Sequence, residues 1–541
     1  MTATLKTYVL AALGLFTLTL SAFAIVWPFN TTAFDDWVYF YVGQPGIYNA
    51  TTTYAIRPFA VIGAQLANLI FPNQAQSIYI IHVAGLFIAA FSLFHILRLL
   101  KPGYTWFAFL VSAVYLFYIP FNSAQIIPLH FEVYSWTVAI AAVSFALFVH
   151  SISAKGWLSV AVLIAACICG YLAILSYEST FPILIAAPLV VWLGRRKFSG
   201  RFVLAALVWW AVAAIAFLQF LIPYLNGDVS ASYQENFFEP VQNVSQLLKN
   251  VVTFYDQSFP IKTIVSDLGA LSLSPYLSTA LVVALIAALT VFIFWRLYPA
   301  ERELPSPRTL IVGIGVGLIL IGLGGSTYMY ANFLTARSHF FVAPAQAWVL
   351  VSVFGLTAWL LRRISIAPLA VSLFAFVIVF FTLGAHWYRN YQIAVTQEGA
   401  DFSHHNQLFQ QILARIPDVV EGTLIIYDCP KVKNSVYKLR AADSYGIRYL
   451  YQDRAIIRSP SGVQFSADSI TDTNNYSTLI GPKLPTEYRY DQLIALRCTT
   501  NSVSVLDQLP KEWGVNSSVY NPNKRIVSGF IQPWQARILA R

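Results

Sequence analysis

Two adjacent carboxylates, Asp35 and Asp36, follow the first apolar segment of the chain in the run Phe34-Asp35-Asp36-Trp37. Neighbouring carboxylates repel each other, which favours protonation of one of them, a metal ion or a cationic partner. One interpretation of the pair is therefore acid–base chemistry. The other is that the two aspartates solvate a loop or cap a helix.

Two further carboxylates border long apolar segments. Glu132 precedes one such segment, in His130-Phe131-Glu132, and Glu178 follows another, in Tyr177-Glu178. Charged groups this close to membrane segments are energetically costly, and they usually line a cavity that serves a site. The alternative is that each carboxylate stabilises a helix N-terminus, where the helix dipole favours acidic residues.

Cationic and imidazole side chains occur beside the same segments. Arg57 stands before Pro58, and Arg337 lies between two late apolar segments in Ala336-Arg337-Ser338-His339. The donor fork of an arginine suits a phosphate, although such a residue also reaches for lipid headgroups. His130 and His339 add donors of the same kind, but a lone histidine beside an apolar face is often structural. None of the histidines has zinc-motif spacing.

Membrane helices are the elements that position these groups. The chain has 541 residues, of which 57% are hydrophobic and only 11% are charged, which excludes a series of soluble domains. Apolar runs of about 20 residues cross a bilayer as helices. About eleven such spans are predicted, at 7–27, 77–99, 104–121, 133–151, 157–176, 180–193, 202–224, 274–296, 309–330, 339–361 and 365–386.

Two other apolar stretches have different interpretations. Arg57 to Phe71 is too short to cross comfortably, and it predicts a helix that lies at the membrane interface. The first apolar run follows Lys6 and resembles a signal peptide, but it is longer than the usual apolar core of such signals. We therefore expect it to be retained as the first span.

Basic residues predict the orientation. With a cytoplasmic N-terminus, thirteen Lys or Arg of residues 1–386 fall on the cytoplasmic side and four on the other. The net charge of +10 is thus an orientation signal, and nucleic acid is not expected as a partner. The outer loops are then residues 28–76 and 225–267, and the membrane domain is residues 1–386. The chemistry-bearing residues named above all share the outer side: Asp35, Asp36, Arg57, His130, Glu132, Glu178, Arg337 and His339.

Residues 387–541 form a second domain, which is expected outside the cytoplasm. They contain 17 Lys or Arg and 13 Asp or Glu, more than half of all the charges. An amphipathic helix at 401–416 and strands at Thr423–Tyr427, Thr478–Ile480 and Leu493–Leu496 predict a small α/β or α+β fold. Its two cysteines, Cys429 and Cys498, are predicted to form a disulfide. The domain either binds the acceptor or serves as a structural cap.

The chain resembles the GT-C superfamily of integral-membrane glycosyltransferases, which use polyprenyl-phosphate-linked sugars. The resemblance covers residues 1–386, and it rests on Asp35-Asp36, Arg57-Pro58, Glu132, Tyr177-Glu178 and Arg337. It implies that Asp35 or Asp36 is the catalytic base and that Glu132 is a second acidic residue of the site. Arg337 and Arg57 are candidates for holding the lipid phosphate. His130, Glu178 and His339 are further candidates for substrate contacts.

The resulting hypothesis is an inverting hexosyl- or pentosyltransferase of the plasma (inner) membrane. Its donor is a polyprenyl-phosphate-linked sugar, and its acceptor is a glycan, a lipid or a protein. No cofactor is specified by the sequence, but carboxylates suit Mg²⁺ or Mn²⁺, so a divalent metal stays open.

Two other functions stay as alternatives. A transporter or flippase for lipid-linked glycans needs polar groups near the bilayer midplane, where the predicted spans carry few charges. A polymerase or ligase of lipid-linked glycans is chemically close to the first hypothesis. A scaffold without enzymatic activity is the least specific alternative.

Overall fold

The computed structural model describes most of the chain. The described residues are 3–23, 41, 59–72, 76–117, 132–195, 199–225, 241–259, 265, 266, 269, 277–297, 304–330, 336–362, 408–429, 443–473, 485–498, 502–513 and 517–528. Asp35, Asp36, Arg57, His130, the predicted span 365–386 and the predicted strand Thr478–Ile480 lie outside these ranges.

Helices dominate the chain up to residue 362. Their bounds are α1 Ala3–Phe23, α2 Ile62–Ile70, α3 Gln76–Leu100, α4 Thr105–Phe117, α5 Glu132–Ser153, α6 Gly156–Ser176, α7 Phe181–Arg195, α8 Gly200–Leu225, α9 Val244–Ser258, α10 Leu277–Leu297, α11 Pro307–Tyr330 and α12 Ala336–Arg362. Among the described residues, α1, α3, α5, α6, α8, α11 and α12 are long and apolar enough to cross a membrane, and α4 and α10 contain shorter apolar helices. The protein is an α-helical polytopic membrane protein.

The predicted spans correspond well to these helices. A helix is observed at every predicted span except 365–386, which the described ranges do not include. The helix expected within Arg57 to Phe71 is observed at Ile62–Ile70, where it packs on α3 and α5. Within the predicted outer loop 225–267, α9 occupies Val244–Ser258, a helix that the sequence analysis did not predict.

Helix α4 is the centre of the bundle. All of its described residues are buried, and they lie within the span predicted at 104–121. It packs against α1, α3, α10 and α12. Phe109 of α4 stacks on Phe294 of α10 at 3.8 Å between ring centroids. A Cβ at Gly14 of α1 would lie only 2.9 Å from the Phe109 ring, so the glycine permits the close approach of α1.

Neighbouring helices run antiparallel and define two ends of the bundle. Tyr8 contacts His95 and Phe16 contacts Phe87, so α1 ends where α3 begins. In α11, Gly313, Gly317 and Gly324 face α12, and a Cβ at Gly324 would collide with Val342. We call the end where α5 begins, α6 ends, α11 ends and α12 begins the Glu178 end. We call the opposite end, where α3 and α7 end and α11 begins, the basic end.

The C-terminal domain is a small α/β unit. Its elements are β1 Asp418–Val419, β2 Thr423–Asp428, α13 Asp443–Leu450, β3 Ala455–Arg458, β4 Val463–Phe465, β5 Ser469–Asp472, β6 Glu487–Arg489, β7 Leu493–Cys498, β8 Val503–Val505 and β9 Ile526–Val527. The main sheet has the order β3-β2-β7-β8, with β2 parallel to both β3 and β7. Because α13 connects the parallel strands β2 and β3, the domain is α/β rather than α+β.

Both faces of the main sheet are covered. Leu424 and Ile426 of β2 contribute to one apolar cluster, and Ile425 and Tyr427 contribute to another. Helical residues 408–415 supply Leu408, Phe409, Ile412 and Leu413 to the second cluster. The near-continuous apolar sequence of β2 follows from this burial on both sides.

A disulfide joins the ends of two neighbouring strands. Cys429 directly follows β2, and Cys498 ends β7, with 4.9 Å between their Cα atoms. One residue earlier in each strand, Arg497 forms an ion pair with Asp428. The covalent link and the ion pair therefore hold β2 and β7 together at the same edge of the sheet.

Candidate active site

A short turn at Glu178 connects α6 to α7 at the Glu178 end of the bundle. Residues Glu178–Thr180 form a 3-10 helix, and Tyr177, Ser179 and Thr180 are buried. The Glu178 side chain is half-buried. An ionisable group in this position is surrounded by apolar helix ends, which is the setting expected of a functional carboxylate.

Three other segments meet this turn. The Ser179 hydroxyl lies 3.5 Å from the Thr327 hydroxyl near the end of α11. The Tyr177 ring stacks on Phe341 of α12 with 4.8 Å between centroids. The Ser176 hydroxyl lies 3.2 Å from the carbonyl oxygen of Phe59, to which it can donate. The ends of α6, α7, α11 and α12 and the segment that precedes α2 are therefore brought together.

An apolar cavity lies directly below the turn, within the bundle. Its volume is about 90 Å³, and Thr180, Ile183, Ala142, Phe341 and Ala345 are among its lining residues. Almost all of the lining is hydrocarbon from α3, α5, α7, α11 and α12. A cavity of this kind accepts an apolar chain better than it accepts water.

The first loop, residues 28–76, is attached to the Glu178 end on both sides. It follows α1, whose last residue Phe23 lies at this end, and Phe59 near its other end contacts Ser176. Phe59 is two residues after Arg57, and Ser176 is two residues before Glu178. The structure therefore brings Phe59 to the end of α6 that precedes the Glu178 turn.

Tyr41 connects the same loop to the C-terminal domain. Its hydroxyl donates to Asp453 at 2.6 Å, its ring lies 4.6 Å below the Arg448 guanidinium, and it contacts the Tyr445 ring. Arg448 is fully buried and pairs with Asp453 at 2.6 Å. Burial raises the pKa of the Tyr41 phenol, with a smaller opposing effect from Arg448, so the hydroxyl stays protonated and donates.

His339 is buried between α9 and α12. Its ring stacks on Phe254 at 4.4 Å, and its exposed fraction is 3%. Nε2 lies 3.4 Å from the side-chain oxygen Oε1 of Gln257, while Nδ1 lies 3.2 Å from the Ser258 hydroxyl. Because Gln257 offers an acceptor there, the consistent tautomer carries its proton on Nε2. This geometry attaches α9 to α12, and substrate contact by His339 stays a prediction.

Helix α9 lies in a groove that two glycines make in α11. A Cβ at Gly325 would collide with the Phe254 ring, and a Cβ at Gly322 would lie 2.7 Å from the Tyr255 hydroxyl. Tyr255 donates to the Leu318 carbonyl oxygen at 2.8 Å, and the Asn250 amide donates to the Met329 carbonyl oxygen at 2.9 Å. The loop 225–267 thus adds a packed helix to the Glu178 end.

The predicted site residues divide into three groups. Glu178 and His339 are described and lie at the Glu178 end. Glu132 is the first residue of α5, and Arg337 is the second residue of α12, so both lie where helices begin at this end. The structure describes their backbones but not their side chains. Asp35, Asp36, Arg57 and His130 are outside it entirely, and their roles stay predictions.

Metal binding is not specified by the described side chains. Among the described residues, no three His, Cys, Asp or Glu side chains are close enough to hold a metal ion. The carboxylates that the sequence offers for Mg²⁺ or Mn²⁺, Asp35 and Asp36, are not among them. A metal at that pair stays a prediction of the sequence.

Several residues of this region were not singled out by the sequence. Tyr41 is one of four tyrosines between the aspartate pair and Arg57, at 39, 41, 48 and 54, and nothing local distinguishes it. Its partner Asp453 is 412 positions away. Ser176, Thr327 and Phe59 have ordinary local patterns as well. The two glycines of α11, Gly322 and Gly325, were the one available signal, because small residues often mark helix contacts in membranes.

Comparison with known proteins finds similar solved structures but no similar sequence. No protein-family model and no curated protein matches the sequence. The structure is similar to that of the Archaeoglobus fulgidus oligosaccharyltransferase in complex with Zn and sulfate, with 14% identity and a TM-score of 0.39, over 83% of this chain. The match covers 62% of the oligosaccharyltransferase, so the chain spans less than two thirds of its length.

The structure is also similar to two structures of ArnT from Cupriavidus metallidurans. With undecaprenyl phosphate bound, the identity is 14% and the TM-score 0.34, over 84% of this chain and 86% of ArnT. In the apo state the identity is 14% and the TM-score 0.37, over 89% and 92%. Both ArnT and the oligosaccharyltransferase are GT-C superfamily membrane glycosyltransferases, the superfamily that the sequence resembles, and at these TM-scores no residue role follows from the likeness.

Proposed function

We propose that this protein transfers a sugar from a polyprenyl-phosphate donor to a glycan, lipid or protein acceptor at the Glu178 end of the bundle. The observation that supports the proposal most is the convergence at that end. The Glu178 turn meets the end of α11, the start of α12 and Phe59 of the first loop, beside an apolar cavity. Chemistry on a lipid-linked substrate needs polar groups for the sugar phosphate beside an apolar space for the lipid.

The proposed reaction is a single displacement at the anomeric carbon. Asp36 or Asp35 accepts the proton of an acceptor hydroxyl while its oxygen forms a bond to that carbon. The bond from the carbon to the phosphate oxygen breaks through an oxocarbenium-like state, and its electrons leave with polyprenyl phosphate. The attack comes from the face opposite to the leaving group, so the anomeric configuration is inverted.

Positive charge beside the leaving phosphate lowers the energy of this step. Arg337 is the candidate, since it lies in the first turn of α12, where the N-terminal end of the helix dipole also favours an anion. Arg57 is a second candidate, because Phe59 ties its neighbourhood to the Glu178 turn.

The apolar cavity below the turn is proposed to hold the first prenyl units of the donor. It begins at Thr180, two residues from Glu178, and continues between α5, α7 and α12. A donor placed in this way has its hydrocarbon inside the bundle and its phosphate at the helix ends.

The C-terminal domain is proposed to cover the site from the water side. Tyr41 of the first loop, which follows the aspartate pair in the sequence, binds the domain through Asp453. With the basic end in the cytoplasm, the Glu178 end and the domain are extracytoplasmic, which places the acceptor outside the cytoplasm. A protease added to intact cells is then expected to reach the domain.

The central experiment is substitution of the aspartate pair. Asp36→Asn and Asp35→Asn are expected to preserve membrane insertion, and the loss of the base lowers transfer by about 10²–10⁴-fold. The measurement is transfer of labelled sugar from a polyprenyl-phosphate donor. Asp256→Asn is the matched control, because Asp256 is an exposed carboxylate of α9 away from the aspartate pair in sequence. Wild-type transfer by both aspartate variants excludes the proposed base.

A second experiment tests the donor cavity. Ala142→Phe places a large side chain in the cavity and is expected to raise the KM for the donor while the KM for the acceptor is unchanged. Ala214→Phe adds the same side chain on an exposed face of α8 and is the control. An unchanged donor KM in Ala142→Phe contradicts the placement of the prenyl chain.

A further inference from the structure

A second and larger cavity lies at the basic end of the bundle. Its volume is about 230 Å³, and it opens between the ends of α3 and α7 and the beginnings of α4 and α11. Most of its wall is apolar, from residues such as Leu97, Leu193, Val316 and Trp348. Two cationic residues, Lys101 and Arg308, also line it. The cavity therefore combines a hydrocarbon interior with positive charge.

Neither cation is paired with a carboxylate among the residues that the structure describes. In the described part of the chain, the Lys101 ammonium and the Arg308 guanidinium form no ion pair. Lys101 is half-buried and Arg308 is exposed, so both heads are within reach of a ligand at the membrane surface. By contrast, nearby Arg195 is already engaged, since it donates to the Leu99 carbonyl oxygen at 3.1 Å.

The helix ends around the cavity add to this positive potential. Helix α11 begins at Pro307, and its first turn, with Arg308 and Thr309, lines the cavity. The amide groups and dipole of a helix N-terminus favour an anion. The opposite dipole at the end of α3 is offset by Arg195. Lys101, Arg308 and the α11 N-terminus thus all favour a bound anion in this cavity.

We propose that this cavity binds an anionic phospholipid from the leaflet at the basic end. The headgroup phosphate lies between Lys101 and Arg308, and the first part of an acyl chain fills the apolar interior. A soluble phosphate would satisfy the two cations but would leave the hydrocarbon walls facing water. Basic pockets between transmembrane helices are suited to anionic lipid headgroups for the same reason.

This site is distinct from the donor cavity proposed at the Glu178 end. The two cavities share only Leu97 and Trp348 among their lining residues. These two side chains therefore stand between them. The lipid site does not depend on the proposed sugar transfer, and it can be tested without any sugar substrate.

The test compares lipid binding by the full-length protein and two double variants. Phosphatidylglycerol is titrated in detergent and bound lipid is counted by native mass spectrometry, with phosphatidylcholine as the zwitterionic reference. Each membrane-surface Lys or Arg contributes about 1 kcal/mol, so Lys101→Ala with Arg308→Ala is expected to weaken phosphatidylglycerol binding roughly 30-fold. Binding of phosphatidylcholine is expected to change little.

The matched control removes the same two charges elsewhere at the basic end. Lys155 and Arg201 are exposed and lie outside the cavity, so Lys155→Ala with Arg201→Ala is expected to keep phosphatidylglycerol affinity. Ala142→Phe, which fills the other cavity, is also expected to keep it. An equal loss in the control double variant overturns the proposal, because it would indicate a general surface charge effect.

Two further outcomes also decide against the site. If the Lys101 and Arg308 double variant binds phosphatidylglycerol as the wild type does, the cavity is not where this lipid binds. If inorganic phosphate at millimolar concentration displaces the lipid completely, the occupant is a soluble phosphate. The unfolding temperature of the double variant in phosphatidylcholine shows whether the protein is folded, so a loss of binding is attributable to the two cations.

Discussion

Cationic side chains are used in opposite ways in the C-terminal domain and at the basic end of the membrane bundle. Five arginines of the domain form ion pairs with carboxylates, as Arg448–Asp453, Arg454–Asp418, Arg458–Asp472, Arg489–Asp491 and Arg497–Asp428. At the basic end, Lys101 and Arg308 have no such partner in the described part of the chain. The same side-chain chemistry therefore serves two different purposes.

The difference follows from what surrounds each region. In the domain, Arg448 and Arg458 are buried, where an unpaired charge is expensive, so a carboxylate accompanies each of them. At the membrane surface, water and lipid headgroups are available, and an unpaired cation is free to bind them. A buried arginine with a carboxylate partner thus stabilises the domain, and a cation without such a partner beside a cavity is a candidate for binding a ligand.

Within the domain, the ion pairs differ greatly in burial. The Arg458 and Asp472 side chains are each 2% exposed, and Arg458 also donates to Ser444. The Arg489 and Asp491 side chains are 74% and 41% exposed. If burial decides the role of a pair, substitutions at these two sites should have very different effects.

The largest effect is expected for Arg458→Ala. The substitution leaves Asp472 buried without its bidentate partner, which typically costs about 3–5 kcal/mol. The measurement is hydrogen exchange of β3 and β5 in the full-length protein, where both strands should lose protection while the membrane helices keep theirs.

A double substitution sharpens this prediction. Replacing both partners, as Arg458→Met with Asp472→Leu, removes the buried charges together and is expected to be much less destabilising. If the single and double variants lose the same protection, the cost arises from lost packing and not from an unpaired charge.

The next effect concerns Tyr488, which lies close to the same pair. Burial raises the pKa of the Tyr488 phenol to about 12, with a smaller contribution from Asp472 in the same direction. A raised pKa means that the folded domain holds the proton more tightly than the unfolded chain. The stabilisation is therefore complete below pH 10 and is lost as the pH rises through 12.

Two pKa units correspond to roughly 2 to 3 kcal/mol. The measurement is an alkaline unfolding titration, with the absorbance of tyrosinate as one signal and exchange of the main sheet as the other. Tyr488→Phe should remove part of the pH dependence above pH 10. Ionisation of this phenol at its ordinary pKa would contradict the burial argument.

An intermediate effect is expected where the domain meets the bundle. Tyr41→Phe removes the hydrogen bond to Asp453, a bond to a charged acceptor that is worth about 1.5–3 kcal/mol. Because this contact holds the first loop, the rate of sugar transfer should fall while the domain stays folded. Tyr451→Phe is the control, since its hydroxyl donates to the Ile416 carbonyl oxygen within the domain.

The two tyrosine variants are expected to differ in their effects on activity and on the stability of the domain. Tyr41→Phe should lower activity with little change in the protection of β2, and Tyr451→Phe should do the reverse. If both variants lower activity equally, the Tyr41 contact has no special role in positioning the aspartate pair.

The membrane helices were predictable because span length and apolar composition are properties of consecutive residues. Each predicted span within the described ranges contains a helix, even the buried α4. Helix α9 was not predicted, because its sequence is polar enough for a loop and its packing depends on glycines of another helix. In the domain, the strands β2 and β7 were predicted, but their parallel pairing follows from contacts 70 residues apart in sequence, as in Gly422 with Gln492.

The candidate site was predictable only in part. Helix ends that carry acidic residues could be assigned to one side by counting charges, and Glu178 lies there with the ends of α11 and α12. The contact of Tyr41 with Asp453 could not be predicted, since both residues have unremarkable neighbours in the sequence. The sequence also could not predict which cations form ion pairs, because nothing in its composition distinguishes Arg458, which is paired, from Arg308.

The smallest effect is expected for Arg489→Ala. This pair with Asp491 is largely solvated, so water replaces the lost partner and the change in stability should lie within about 0–1 kcal/mol. Hydrogen exchange of β6 and the neighbouring β5 measures it under the conditions used for Arg458→Ala. A cost near that of Arg458→Ala would break the comparison, because it would show that pairing matters in this domain regardless of burial. The unpaired state of Lys101 and Arg308 would then need a different explanation from their access to lipid.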